Sequence, residues 1–318
     1  MDNKRRVVVT GLGALTPIGN NIQDFFKALD EGRSGAAPIT RFDASKFNTR
    51  FACEVKDFDP AQFMNIKEAR KMDRYCQLAM VASDQAIADS GLDLEKVDKS
   101  RVGVIIGSGV GGIETMTNEI SEFVSGNGEP RFSPFLIPKM IADMASGLVS
   151  IKYGFMGPNY ATVSACASSS HAIHNSFKLI KYDEADVIVV GGAEAAVTIP
   201  GVGGFNSAKA LSTRNDSPET ASRPFDKDRD GFVLGEGAAI LVLEEYEHAK
   251  ARGAKIYAEI MGCGITADAH HITAPHPDGF GAIEAMRIAL KTSGLKPEDI
   301  DYINDHGTST PMGDIAEL

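Results

Sequence analysis

The chain has 318 residues, is 43% hydrophobic and 24% charged, and carries a formal net charge of −11. That balance fits a soluble globular protein with a large core, and a global polyanion excludes nonspecific nucleic-acid binding, which needs clustered Lys and Arg. Cys53, Cys76, Cys166 and Cys263 form no CxxC pair, which excludes the usual zinc spacings and points to a reducing, cytoplasmic setting, and no run of about 18 apolar residues suggests a membrane span.

In chain order, the basic opening MDNKRRVVVTGLG has no apolar run of secretory length. Short β-branched runs at 7–10, 102–106, 187–190, 240–243 and 256–261 predict buried strands, most of them meeting glycine. Helical patterns fill 78–90, 168–182, 244–252 and 282–293. The alternation predicts an α/β layered fold with a largely parallel sheet.

A weak internal repeat runs through this order. AIADSGLDLEKVDKSRVGVIIGSG (86–109) resembles ALKTSGLKPEDIDYINDHG (289–307), with an offset of 203 from Ser90 to Ser293. KRRVVVTGLGALT (4–16) resembles KIYAEIMGCGIT (255–266), with an offset of 251 from Gly11 to Gly262. The offsets differ by 48, an extra segment whose natural place is the turn-rich stretch 14–70. A duplicated protein would then be cut off soon after the second strand of its second half, so the chain is expected to be incomplete.

The strongest chemical signal is NYATVSACASSSHAIHNSFKLI, 159–180. A β-branched stretch runs into small residues and an amphipathic helix, placing Cys166 at a strand-to-helix turn. Backbone N–H groups there favour a thiolate and an oxyanion, and small neighbours leave room for a substrate. An inert core cysteine is the plainer alternative. The second signal is IDYINDHGTSTPMGD, 300–314, where a predicted strand ends in His306. Reactive groups of open α/β sheets sit past strand carboxyl ends, although a loop histidine bonded to nearby backbone fits equally. Together the two residues suggest thioester chemistry.

Other patterns are discounted. Gly107–Gly112 matches G-x-G-x-x-G formally, but no second strand with a ribose-binding acid follows. Asp226, Asp228 and Asp230 imitate an EF-hand start, but the twelfth position is Gly237. His270, His271 and His276 lie in a Pro-containing loop without helical spacing, so no metal is expected. His171 and His174 share a helix face, where packing or polar contacts near Cys166 fit better than a metal. Lys67, Arg70, Lys71 and Arg74 have the spacing of one helix face, either solvated or steering an acidic partner.

SACASSSHAI around Cys166, GGFNSAKALSTRN (203–215), RPFDKDRDGFVLGEGA (223–238), ADAHHITAP (267–275) and HGTST at 306–310 together carry a family resemblance. Over its whole length the chain resembles the elongating β-ketoacyl-acyl-carrier-protein synthases II. The resemblance implies a thiolase-like fold, a duplicated βαβαβαββ unit in five layers, dimeric, with 1–253 as the N-terminal half and 254–318 as the start of a truncated C-terminal half. It implies decarboxylative Claisen condensation of malonyl-acyl carrier protein with a fatty acyl group held on Cys166. His306 would polarise the malonyl thioester carbonyl, and the backbone N–H of Cys166 would donate to the oxyanion. Thr308 and Thr310 match pantetheine contacts, Thr273 borders that tunnel, and Val110 and Phe205 match the acyl-pocket gate. Lys67, Arg70, Lys71, Arg131 and Lys209 match carrier-protein contacts. No cofactor is implied, since phosphopantetheine arrives on the carrier protein.

Two departures qualify the resemblance. Asp305 stands where the family has a small or apolar residue, and the chain stops before a catalytic lysine, a second histidine and a Gly-rich loop, Glu317 matching the acid that pairs with that lysine. The chain as it stands is therefore expected not to complete condensation. Alternatives are a thiolase or initiating synthase using coenzyme A thioesters, a noncatalytic chain-length-factor-like partner, and a cysteine hydrolase.

Overall fold

The computed structural model describes residues 5–318, which fall into two compact units. The first runs up to Arg33 and includes Glu54–Gly201 and Gly235–Glu259; the second comprises Ser34–Cys53, Val202–Leu234 and Ile260–Leu318.

In the first unit, β1 (Val7–Leu15), β2 (Val102–Gly107), β3 (Asn159–Tyr160), β4 (Val187–Ala195) and β5 (Glu236–Glu245) alternate with α1 (Arg74–Ser90), α2 (Met144–Tyr153) and α3 (Ser168–Lys181). This is the expected βαβαβαββ order. With β6 (Ala258–Ile260) at one edge, the sheet order is β3-β2-β4-β5-β1-β6. Strands β2, β3 and β4 are parallel, as predicted, while β5 pairs antiparallel with both β4 and β1. The sheet is therefore mixed.

Period-two alternation sends the two faces of each strand to different partners. Val102, Val104, Ile106, Val187, Val189, Ile240 and Val242 share one buried core with Leu78, Ala79, Ala82 and Ala86 of α1. The opposite face carries Gly107 and Gly192, paired across β2 and β4. A Cβ on Gly107 would lie 2.6 Å from the Ser168 carbonyl, and one on Gly192 2.7 Å from the Ser169 Cβ. The paired glycines thus form a notch into which the head of α3 settles.

Helix α1 starts where the Asp73 side chain accepts from the Tyr75 N–H and stops at Gly91, whose φ of 61° is left-handed. It packs directly on β1, because Gly11 and Gly13 have no side chains to hold it off.

The second unit contains a two-residue hairpin pairing Ala37–Pro38 with Phe51–Ala52, and α4 (Phe280–Ser293). Here the internal repeat reappears in three dimensions. A Cβ on Gly11 would lie 2.8 Å from the Ser90 Cβ, and one on Gly262 2.8 Å from the Ser293 Cβ. Gly13 meets the Ala82 carbonyl as Gly264 meets the Ala285 carbonyl. Gly91 and Gly294 both end their helices with left-handed φ. The offsets of 251 and 203 read from the sequence link every member of these sets.

Three expectations need correction. The predicted helix 244–252 is only Tyr246–Ala251, because Glu244 and Glu245 remain in β5 and Glu245 caps the helix through the His248 N–H. The predicted strand 256–261 shrinks to Ala258–Ile260. The predicted strand leading to His306 is absent: 301–310 is irregular and Tyr302 is 79% exposed, with no neighbouring strand among the described residues to supply a ladder.

Candidate functional site

Cys166 lies just past the carboxyl end of β3, in a 3-10 turn (Ala165–Ala167) that feeds α3. Its thiol-bearing residue is exposed. The residue before it, Ala165, takes a left-handed φ of 50°, strained for a residue with a Cβ. Ser168, only 4% exposed, holds that turn: its hydroxyl donates to the Ala165 carbonyl at 2.7 Å and accepts the Ser164 N–H at 2.9 Å. Thr162 Oγ1 donates to the Ser168 carbonyl at 2.7 Å. Ser164 Oγ and His171 Nδ1 are 2.7 Å apart. His171 thus makes a polar contact beside the cysteine, as expected, and His174 is buried, its pKa lowered by that burial. The strained turn, fixed from several sides, presents Cys166 outward at the head of a helix whose dipole favours a thiolate.

The other cysteines differ. Cys76 is buried in α1, and burial pushes its thiol up to about 12. Cys53 and Cys263 are half-buried, with no helix beginning at either.

The G-x-G-x-x-G look-alike is a loop between β2 and the helix Ile113–Ser125. A carboxylate occupies the place a phosphate would need. Glu194 Oε2 accepts the N–H groups of Gly109 at 2.7 Å and Val110 at 3.1 Å, and Oε1 accepts the Ser108 hydroxyl at 3.1 Å. Burial raises the Glu194 pKa, against the lowering effect of these donors. The sequence reading missed Glu194, although a lone acid in the run VIVVGGAEA was a visible signal.

In the second unit the HGTST segment is a loop organised by Glu317. The carboxylate accepts the N–H groups of His306 and Gly307, each at 2.8 Å. Thr308 and Thr310 place their hydroxyls 2.9 Å apart, and Thr310 Oγ1 accepts the Gly313 N–H. His306 and Asp305 are exposed. Phe205 stands edge-on to Phe232 at 5.2 Å. Thr273 is exposed beside His271, whose Nδ1 accepts the N–H groups of Thr273 and Ala274. The EF-hand look-alike is a charged turn in which Asp226 accepts the Asp228 N–H and pairs with Arg223. Among the described residues, no group of three or more His, Cys, Asp or Glu is placed to hold a metal.

The basic run is not one helix face. A four-residue helix, Ile66–Ala69, ends at Arg70, and Asp73 caps a new helix beginning at Arg74. Lys67, Arg70 and Lys71 are exposed, Lys71 pairing with Glu68. Arg74 turns inward to the buried Glu236, donating from Nη2 at 2.7 Å and from Nε. Arg131 pairs with Glu129 at the surface, and Lys209 is exposed. Val110 and Cys166 belong to the first unit, as do Lys67, Arg70, Lys71 and Arg131; Phe205, Lys209, Thr273, His306, Thr308 and Thr310 belong to the second.

Comparison with known proteins gives a consistent picture. Residues 4–249 match the β-ketoacyl synthase N-terminal domain and residues 257–318 the β-ketoacyl synthase C-terminal domain. A relative from Synechocystis sp., 3-oxoacyl-[acyl-carrier-protein] synthase 2, is 56% identical over 99% of this chain and 75% of its own length. The solved β-ketoacyl synthase from Burkholderia phymatum superposes with a TM-score of 0.90 at 38% identity, covering 98% of this chain and 76% of that one. A ketosynthase solved in complex with its type II PKS acyl-carrier protein superposes with a TM-score of 0.91 at 30% identity, covering 99% and 76%.

Proposed function

The chain belongs to the β-ketoacyl synthase family, and from that membership we propose that it elongates fatty acyl chains by decarboxylative Claisen condensation, with Cys166 as the acyl carrier. The observation that carries the reading is the Cys166 turn, exposed, strained at Ala165 and set at the head of α3.

In the first half-reaction the Cys166 thiolate attacks the carbonyl carbon of an acyl thioester on acyl carrier protein. The carbon–sulfur bond to the pantetheine breaks, the carrier sulfur leaves as a thiolate that takes a proton from solvent, and the acyl group rests on Sγ. In the second, malonyl-carrier protein loses carbon dioxide, and the electron pair left on its methylene carbon attacks the acyl-cysteine carbonyl. A carbon–carbon bond forms, the bond to Cys166 breaks, and the product is a 3-oxoacyl-carrier protein. His306 polarises the malonyl thioester carbonyl, so that the developing enolate is stabilised. Thr308 and Thr310 hydrogen-bond the pantetheine arm, Thr273 borders its path, and Val110 and Phe205 gate the acyl pocket.

Lys67, Arg70, Lys71, Arg131 and Lys209 meet the acidic carrier protein; the complex of a related ketosynthase with its acyl-carrier protein supports this assignment. The protein works in the cytoplasm as a homodimer, with 1–253 as its N-terminal half and 254–318 as the start of the duplicated C-terminal half.

The test is incubation with acyl-carrier protein followed by peptide mapping and then malonyl-carrier protein. The acyl mass is expected on the Cys166 peptide, and a 3-oxoacyl product on the carrier is expected from a protein spanning the full length of its relatives, of which this chain covers about three quarters. Acylation at another cysteine, release of free acid without a new carbon–carbon bond, or preference for coenzyme A thioesters would overturn the reading.

A further inference from the structure

We propose that Glu194 is a positioning residue that fixes Val110 beside the nucleophile turn and thereby sets which acyl chain lengths Cys166 accepts. This rests on the preceding assignment of Cys166 as the acylated residue and Val110 as part of the acyl gate.

Three parallel strands converge on the arrangement. Residues 108–112 follow β2, the Cys166 turn follows β3, and Glu194 lies at the end of β4. Glu194 grips the loop by the N–H groups of Gly109 and Val110 and by the Ser108 hydroxyl, which itself accepts the Gly111 N–H at 3.0 Å. From the other side the loop abuts 139–142. The Gly112 N–H donates to the Met140 carbonyl at 3.1 Å, and a Cβ on Gly111 would lie 2.9 Å from that same oxygen. Little slack remains between the two sides. Glycine occupies 109, 111 and 112, so Val110 is the one side chain the loop tip carries, and it is 47% exposed.

The loop also abuts the nucleophile turn. A Cβ on Gly109 would lie 3.4 Å from the carbonyl oxygen of Ala165 and 3.1 Å from Glu194 Oε2. One carboxylate thus fixes the backbone of Gly109, against Ala165, and of Val110, the next residue. Release of that grip changes the separation of Val110 from Cys166 without touching the sulfur. Burial works against the charge here, and the donors of the loop work for it: one oxygen accepts two N–H groups and the other a hydroxyl.

The experiment measures Cys166 acylation by intact mass over a series of acyl-carrier thioesters from short to long, for wild type, Glu194→Ala, Glu194→Gln and Ser108→Ala. Alkylation of Cys166 by iodoacetamide is followed in parallel. Glu194→Ala is expected to shift the long-to-short ratio of kcat/KM by about 10-fold, the scale of one methylene in an apolar pocket, with alkylation changed by less than about 3-fold. Glu194→Gln, whose amide oxygen still accepts both N–H groups, is expected to restore most of the wild-type profile. Ser108→Ala is expected to shift the profile in the same direction by a smaller factor, which keeps the test decisive should Glu194→Ala fold poorly. An unshifted profile in both alanine variants overturns the proposal. So does a common loss across all chain lengths and alkylation, which would make Glu194 a support of the fold alone. A wild-type protein that takes no acyl group at Cys166 overturns the underlying assignment as well, and is told apart by that failure.

Discussion

A Cβ placed on Gly262 would lie 2.8 Å from the Cβ of Ser293 and 2.6 Å from the Ala289 carbonyl oxygen. Strand-side glycine and helix are packed backbone to backbone, so nothing flexible can yield. Gly262→Ala is therefore expected to cost about 1–3 kcal/mol, as overpacking does. Gly11→Ala, which meets Ser90 in the same way, is expected to cost a similar amount. Gly147 sits inside α2, and a Cβ there would meet nothing within 4 Å, so Gly147→Ala is expected to gain roughly 0.4–1 kcal/mol. Urea melts of the three variants check this; equal effects at all three positions would refute the packing argument.

Much of this packing was legible in the sequence. The offsets of 203 and 251 came from short glycine and serine matches, and the same glycines and serines meet in the structure. Strand periodicity found β2 and β4 because they are buried on both faces and read as continuous apolar runs. It failed near His306, where the run IDYIND has strand composition but finds no ladder among the described residues. The basic run 67–74 failed for another reason. Regular spacing does not reveal that Asp73 starts a new helix and sends Arg74 inward. Glu194 was missed because its role lies in contacts with a loop 85 residues away along the chain.

The cysteines should separate by reactivity. At neutral pH, iodoacetamide is expected to modify Cys166 first, because it is exposed at the helix head. Cys76, with its thiol pushed up to about 12 by burial, should resist until the protein unfolds. Peptide mapping after brief labelling checks the order, and labelling of Cys76 at the Cys166 rate would refute it.

A buried acid at the end of β5 gives the fold a pH signature. Glu244 is fully buried; burial opposes its charge, but donors from Arg252, His248 and Thr10 prevail and hold its carboxyl down at about 2. His248 is raised by its bond to the same carboxylate, with Nδ1 to Oε1 at 2.6 Å. The stabilisation from His248 is complete below its unfolded pKa of about 6.5 and is lost as pH rises through its higher folded pKa. That from Glu244 is complete above about 4.3 and is lost as pH falls toward its folded value. Both are present between those limits. One bond joins the pair, so it counts once, and a part-exposed imidazole limits the alkaline loss to at most about 1 kcal/mol. Melting temperature is expected to fall as pH rises above about 6.5, and His248→Gln to flatten that fall. An unchanged slope in the variant would refute it.

The basic surface separates carrier docking from stability, because four neighbouring cations have two different surroundings. Lys67, Arg70 and Lys71 are exposed, and the Lys71–Glu68 pair is a surface contact of little energetic weight. Reversing the charges of Lys67 and Lys71 should leave the folding stability within about 0.5 kcal/mol of wild type. The same change should raise KM for carrier-bound substrates and flatten its salt dependence, since exposed charges act through a screened field that guides encounter. Small pantetheine thioesters, which carry no acidic domain, should react as before. Arg74 behaves differently. Its guanidinium meets a carboxylate that also accepts the Val55 N–H, and the Glu236 side chain has no solvent exposure. Arg74→Ala strands that charge and is expected to cost about 3–5 kcal/mol, with activity toward both substrate types falling together as the folded fraction falls. Steady-state kinetics with carrier-bound and free thioesters, beside thermal melts, measure both effects. Equal loss of activity toward the two substrates in the Lys67 and Lys71 variant would mean that the patch supports the fold and meets no carrier.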